Sequence, residues 1–405
     1  KRLEEQKKEA ERRRKEKEEE LAAMEKEERK KKEQARELVD RGVEEMNKGN
    51  YIKARGLFDQ ALQKDPENAE AVARTGEAYF EEDEESQSNI REAIEHSNEA
   101  IEMDGNLWVP HNTLGDVYSK QKQWENAVES YKTAARLNPE NADVLFELGK
   151  AQYRMGKFDQ ARQSFEAAIH NRSDFLKAYL NLGFTLRQLG SNRAALNAFT
   201  RAAEIEPDNA LAHYQKAELK RIGGNYRNAI SDMEKAAGLE QKNPVYRRKL
   251  GNLYYQVGDL QKAVDAYEQA LEIDSDDADT HYNLAKVLLD QDKGQEALPH
   301  AVKAVQLASN SASNLYILGK AAESTGETSQ AIQAYERAIE RDPEHVDAMV
   351  NLGKIYDEQG KYDRALKVLL DAYEVSSESL AVNNNLGNVY LHSELYQDSI
   401  KHYNK

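Results

Sequence analysis

Alanine recurs along this chain on a fixed beat. Ala54, Ala93, Ala127, Ala161, Ala195, Ala229, Ala263, Ala297, Ala331 and Ala365 are separated first by 39 residues and thereafter always by 34, and Ser399 continues the series. A second alanine follows each of these seven residues later, from Ala61 to Ala372. Upstream of each stands a small residue: Gly42, Gly76, Gly115, Gly149, Gly183, Ala217, Gly251, Ala285, Gly319, Gly353 and Gly387. Four residues downstream a ring recurs, as Phe58, Tyr131, Phe165, Phe199, Tyr267, Tyr335 and Tyr403. A unit of this size cannot bury an apolar face alone, so such a chain must stack each unit on its neighbours.

The stretch "LGKIYDEQGKYDRAL" at 352–366 is the middle of one unit, and it returns as "LGKAQYRMGKFDQAR" at 148–162 and "LGNLYYQVGDLQKAV" at 250–264. Its two Gly-Lys pairs do not make a phosphate loop. Gly353-Lys354 is followed by Ile355 and Gly360-Lys361 by Tyr362, where a Ser or Thr would have to reach a metal, and neither pair has the upstream glycine. Each unit instead reads as two segments of helical period around a short polar turn, often with glycine, as at Gly156, Gly190 or Gly360. Glycine inside a helix costs roughly 0.5–1 kcal/mol against alanine, so its return marks a close helix crossing. Pairs such as Gly353 with Ala365 are expected to form that crossing, with the ring filling the gap beside it. Pro66, Pro139, Pro207 and Pro343 stand at unit junctions, where one helix stops and the next unit starts.

This pattern closely resembles the tetratricopeptide repeat, with Leu-Gly-x-x-Tyr on a first helix and Ala-x-x-x-Tyr/Phe-x-x-Ala on a second. The resemblance covers residues 35–405 as ten repeats and a truncated eleventh. It implies an all-α fold, a right-handed superhelical solenoid of helix-turn-helix repeats whose first helices line a concave groove. Three departures stand out. The second repeat carries five extra residues near "EEDEESQSN" (81–89), expected to lengthen a loop or add a turn to its first helix. Pro299 falls inside the second helix of the eighth repeat and is expected to bend it. The eleventh stops at Lys405 in mid-helix, so a native chain continuing past it is expected.

Residues 1–34 are a separate segment, with 14 basic and 12 acidic residues, no Gly or Pro, and Leu3, Ala10, Leu21, Ala22, Ala23 and Met24 as its only apolar residues. Glu placed about four residues before Lys or Arg supports a single solvated helix, and the apolar heptads of a coiled coil are missing. The expected role is spacer or tether, in a helix that can run on into the first repeat. Outside it the chain holds 43 basic against 61 acidic residues, too acidic for a nonspecific nucleic-acid binder. There is no cysteine, which removes disulfides, thiol catalysis and thiolate metal sites. No apolar run approaches a membrane span. The sequence opens on Lys1, so membrane contact is expected only through an anchor upstream of it; the letters do not fix the compartment, and a cysteine-free chain suits a cytoplasm, or a periplasm or export where a signal or anchor has been removed.

Catalytic motifs are missing: there is no Gly-x-Ser-x-Gly and no His-Glu-x-x-His. His111, His213 and His281 share the fourth place of the first helix, which reads as packing. The run "DSDDAD" (274–279) lacks the glycine and glutamate of a calcium loop and reads as a helix cap. No cofactor and no metal site are expected.

The family resemblance implies ligand-facing places at the second, fifth, sixth, ninth, twelfth and thirteenth residues of each first helix. Early repeats carry acids there (Glu77, Glu81, Asp116, Glu147), middle repeats bases (Arg221, Arg248, Lys249), and late repeats acids with amides (Asp290, Asp357, Asn351, Asn385). Tyr282 and Tyr316 add aromatic surface. Arg248, Asn252 and Asn283 match three places of the two-carboxylate clamp of some relatives, while Ser313 and Ile317 stand where its remaining basic residues belong. The expected function is a noncatalytic scaffold, a monomer or weak homo-oligomer, gripping a protein or peptide partner in its groove. An acidic peptide is expected on Arg221, Arg248, Asn252, Tyr282, Asn283, Tyr316, Asn351 and Asn385. Two alternatives stand beside it. One is the repeat module of a larger enzyme such as a glycosyltransferase, suggested by an asparagine series (Asn181, Asn283, Asn351, Asn385) that Lys249 and Ile317 interrupt. The other is a self-assembling structural protein.

Overall fold

The short polar turns decide the architecture. In the repeat spanning Ala142–Arg154 and Phe158–Asn171, Gly156 takes φ 73°, and Lys157 N–H then reaches back to the carbonyl of Gln152 at 2.9 Å. This left-handed helix end reverses the chain and lays the second helix along the first. At three turns a side-chain-bearing residue adopts the same conformation: Lys122, Asp292 and Glu394, with φ of 59–61°. Junctions between repeats are set by capping side chains. Asn68, Asn141, Asn209 and Asp277 each accept from a backbone N–H in the first turn of the helix that follows.

The computed structural model describes residues 2–405. Lys1, with which the expected leader begins, lies outside the described residues, as do the side chains of Leu3 and Ala10. The described residues form 22 helices and no strand, an all-α solenoid of helix pairs. The chain divides into two compact units, one ending at Glu206 and the other running from Pro207 to Lys405. In the second unit one apolar core extends from Ala210 to Val389.

The recurring glycines have a more specific task than expected. A Cβ on Gly353 would first meet Leu369, with Cγ at 2.5 Å, and one on Gly149 would lie 2.7 Å from Phe165 Cε1. A Cβ on Gly76 would meet Ala93 and His96, whereas at those crossings the residue sixteen places on sits directly against the glycine. Where that residue is Tyr, its buried hydroxyl needs an acceptor. Tyr131 donates to Asp116 at 2.6 Å, Tyr267 to Asn252 at 2.6 Å and Tyr335 to Glu323 at 2.9 Å.

The insertion in the second repeat does not chiefly lengthen the first helix. Ala69–Glu82 has 14 residues against 13 in the helix of the next repeat, while the second helix, Gln87–Met103, has 17 against 14. With no glycine to reverse the chain, Asp83 accepts from the backbone N–H of Glu85 and Ser86, and Ser86 caps the next helix through Asn89 N–H. The second helix thus starts early. Lys120 holds Glu84 at 3.1 Å and also pairs with Glu85, so the acidic loop is tied to the neighbouring repeat. Pro299 lies within Gly294–Leu307, which remains one helix through it.

The first helix of the chain runs unbroken from Arg2 to Asn47. Residues 12–33 are exposed, and Ala35 is the first residue described as buried. Ion pairs at i,i+4 spacing line the exposed part, among them Arg12–Glu16 at 2.9 Å and Lys32–Glu28 at 3.0 Å. Ala35 and Val39 begin the packing, against Ala54 and Phe58.

Candidate functional site

Within the second unit, the first helices of three successive repeats are Ala210–Ile222, Pro244–Gln256 and Ala278–Asp290. Their outward-facing turns enclose a cleft of about 400 Å³. Arg221 comes from the first of these helices, Lys249, Asn252, Tyr255 and Gln256 from the second, and Asn283 and Lys286 from the third; Tyr226, Tyr267 and Val287 complete the lining.

The polar groups are held differently. Arg221 reaches Glu218 through Nε at 3.3 Å and Nη2 at 3.2 Å, and Lys249 Nζ lies 3.8 Å from the same carboxylate. Glu218 is buried, so one carboxylate serves two cations. Among the described residues no carboxylate lies within ion-pair distance of Lys286, and its Nζ stands 4.9 Å from the centre of the Tyr255 ring. Tyr255 donates its hydroxyl to Asp290 at 2.7 Å; burial first, and then that bond, push its phenol up to about 12. Asn252 turns its oxygen to Tyr267, which leaves its NH2 group as the free end of the amide. Asn283 is half-buried and lines the cleft, with no hydrogen-bond partner among the described residues.

Of the eight residues expected to bind, the structure brings Arg221, Asn252 and Asn283 into this cleft. Arg248 is placed elsewhere. Its guanidinium bonds both oxygens of Asp277, at 3.0 and 2.9 Å, and Asp279 at 3.1 Å. Asp277 is also the cap of the helix that follows, so Arg248 ties two repeats together and the cations of the cleft are Lys249, Lys286 and Arg221. Tyr282 packs half-buried on the core, and Tyr316 lies 4.8 Å, centre to centre, from the ring of His345. Asn351 donates to the Tyr335 hydroxyl at 3.2 Å, and Asn385 to the Ala381 carbonyl of its own helix at 2.8 Å. Lys286, Tyr255, Gln256 and Tyr226 were not singled out from sequence. The first three occupy ninth, twelfth and thirteenth places of their helices, so the placement rule held the signal, whereas nothing marked Tyr226.

The histidines at the fourth place take structural partners. His213 and His281 each present Nε2 to a carbonyl just before their own helix, Pro207 at 3.0 Å and Ser275 at 3.1 Å, and His281 Nδ1 also meets His300 Nδ1 at 3.0 Å. Among the described residues no group of His, Asp and Glu is arranged to hold a metal ion, and no helix is long and apolar enough to cross a membrane.

Helix pairs of nearly constant length, a glycine–ring contact at most of the crossings and a polar cleft across first helices define an α-helical repeat protein. Sequence models described as tetratricopeptide repeat match residues 39–105, 146–191, 316–378 and 352–405, and also 176–209, and one described as TPR repeat matches 115–156 and 251–292. The chain belongs to the tetratricopeptide repeat family. Among similar solved structures, the C-terminal part of a TPR repeat-containing protein from Cytophaga hutchinsonii has 19% identity and a TM-score of 0.50, covering 58% of this chain and 96% of that one, and shares the fold. YrrB, described as a TPR protein with an unusual peptide-binding site, has 25% identity and a TM-score of 0.43, covering 49% of this chain and 99% of its own. MamA from Desulfovibrio magneticus RS-1 has 23% identity and a TM-score of 0.40 over 42% of this chain and 97% of that one. No curated protein matches the chain.

Proposed function

We propose that this repeat array is a noncatalytic scaffold that holds an acidic peptide segment of a partner protein in the cleft lined by Arg221, Lys249 and Lys286. The observation that carries the reading is the balance of charge there: three cations and two amides that offer NH2 groups line the space, while the nearby carboxylates of Glu218 and Asp290 stand behind the lining. Bonds from charged donors to carboxylate oxygens are the stronger kind, and Tyr226 and Tyr255 offer apolar faces to neighbouring peptide residues. Proton transfer is poorly served. The lining holds only Arg, Lys, Asn, Gln, Tyr and Val, and general acid–base work wants a group titrating near the working pH.

The test is fluorescence anisotropy with a labelled Asp/Glu-rich peptide containing one Tyr. Lys286→Glu and Lys249→Glu should each weaken binding by roughly tenfold or more, and wild-type affinity should fall as salt rises. Arg248→Gln should leave affinity nearly unchanged. Loss of binding in Arg248→Gln with none in the two lysine variants would move the peptide away from this cleft.

A further inference from the structure

We infer that the acidic group this cleft is built for is a phosphorylated side chain of the partner peptide rather than a plain carboxylate, an inference that rests on the cleft being a peptide site. Charge is the first argument. Glu218 bonds Arg221 and lies 3.8 Å from Lys249, and Asp290 accepts from the Tyr255 hydroxyl at the edge of the cleft, so two carboxylates behind the lining stand against three cations and the cleft stays net positive. A phosphomonoester carries about −1.5 to −2 at pH 7 and is drawn to a net positive cleft more strongly than the single negative charge of an Asp or Glu side chain.

The second argument counts donors. Asn252 is fixed with its oxygen on Tyr267 and so offers only NH2, and among the described residues Asn283 has no hydrogen-bond partner and Lys286 no carboxylate. With Lys249 and the remaining N–H groups of Arg221, these donors come from all three first helices. A carboxylate presents about four lone-pair sites on two oxygens in one plane. A phosphoryl group presents three strong acceptor oxygens in a tetrahedral spread, suited to donors arriving from several helices. The lining of Lys, Arg, Asn and Tyr has no carboxylate facing into the space.

Three short peptides, identical except for a central Ser, Asp or phosphoserine, separate the possibilities by anisotropy at physiological salt, with inorganic phosphate as competitor. The phosphoserine peptide should bind roughly tenfold or more tighter than the Asp peptide. Lys286→Met and Asn283→Ala should each shrink that ratio while leaving the circular dichroism spectrum unchanged. Equal affinity for the Asp and phosphoserine peptides would overturn this inference and leave the acidic-peptide reading standing. Failure of both peptides to bind would overturn both. Inorganic phosphate displacing the peptide at concentrations equal to the peptide's own dissociation constant would assign the cleft to the free anion and overturn the peptide assignment.

Discussion

Replacing Gly251 with alanine adds one carbon, and the structure predicts where the cost falls. That carbon would lie 2.6 Å from Cε1, 2.7 Å from Cδ1 and 2.9 Å from Cζ of Tyr267. Contacting carbons settle at about 3.5–4.0 Å, so the ring must retreat by about 1 Å. It has little room to do so, being 1% exposed, and its hydroxyl is bound to Asn252. Overpacking of this kind costs about 1–3 kcal/mol, and a weakened buried hydrogen bond adds about 1 kcal/mol. Gly251→Ala should therefore destabilise this part of the array by about 2–4 kcal/mol, and Gly251→Leu by at least as much. The chain carries its own control. Ala217 and Ala285 occupy the glycine place in their repeats, and sixteen residues on stand Met233 and Ala301 instead of a ring. The pair Gly251→Ala with Tyr267→Met should thus recover much of the loss. Repeat arrays need not unfold in one step, so urea melts should be joined to hydrogen exchange read over 244–273. Unchanged exchange in Gly251→Ala, or a double variant no better than the single one, would refute the account of the crossing.

The leader should be dispensable for stability: deletion of residues 1–34 should leave the unfolding midpoint of the repeats unchanged, and a marked fall would show that it packs on them. Asp116 should make stability depend on pH. Burial first, and then the charges of Glu147, Glu81 and Glu77, push its carboxyl from 3.8 up to about 8 against the opposing bond from Tyr131. A carboxyl raised in the folded state contributes stability that is full below pH 3.8 and is lost as pH rises through about 8. The parent should therefore be weaker in urea at pH 9 than at pH 6, and Asp116→Asn should lessen that difference; equal slopes in both proteins would remove Asp116 as the cause.

The crossings were legible because both partners lie sixteen residues apart in one repeat, so the spacing survives in the letters. The insertion was harder to place. Its fate depended on Asp83 and Ser86 supplying a turn without glycine, a contest between two capping side chains that a repeat alignment does not weigh. The binding face was legible as a set of helix places, and Arg221, Asn252 and Asn283 do meet. The ionic state of each place was not. Arg248 and Lys249 are adjacent and alike in sequence, yet one is held by Asp277, 29 residues away, and the other leans toward Glu218 at 3.8 Å. Asp277 read correctly as a helix cap, and nothing local marked its second bond. Asn252 matched a ligand-binding place, and the structure gives it a packing duty as well, accepting from Tyr267.

The unbroken helix from Arg2 to Asn47 sets azimuth as well as distance. Its 46 residues span about 70 Å at 1.5 Å each, with no joint between the exposed part and the turns anchored by Ala35 and Val39. Inserting one residue between 12 and 33 would swing everything ahead of it by about 100° around the helix axis while advancing it only about 1.5 Å. A label or fused domain at that end is thus carried on a keyed shaft, and its bearing is chosen by counting residues modulo the helical turn.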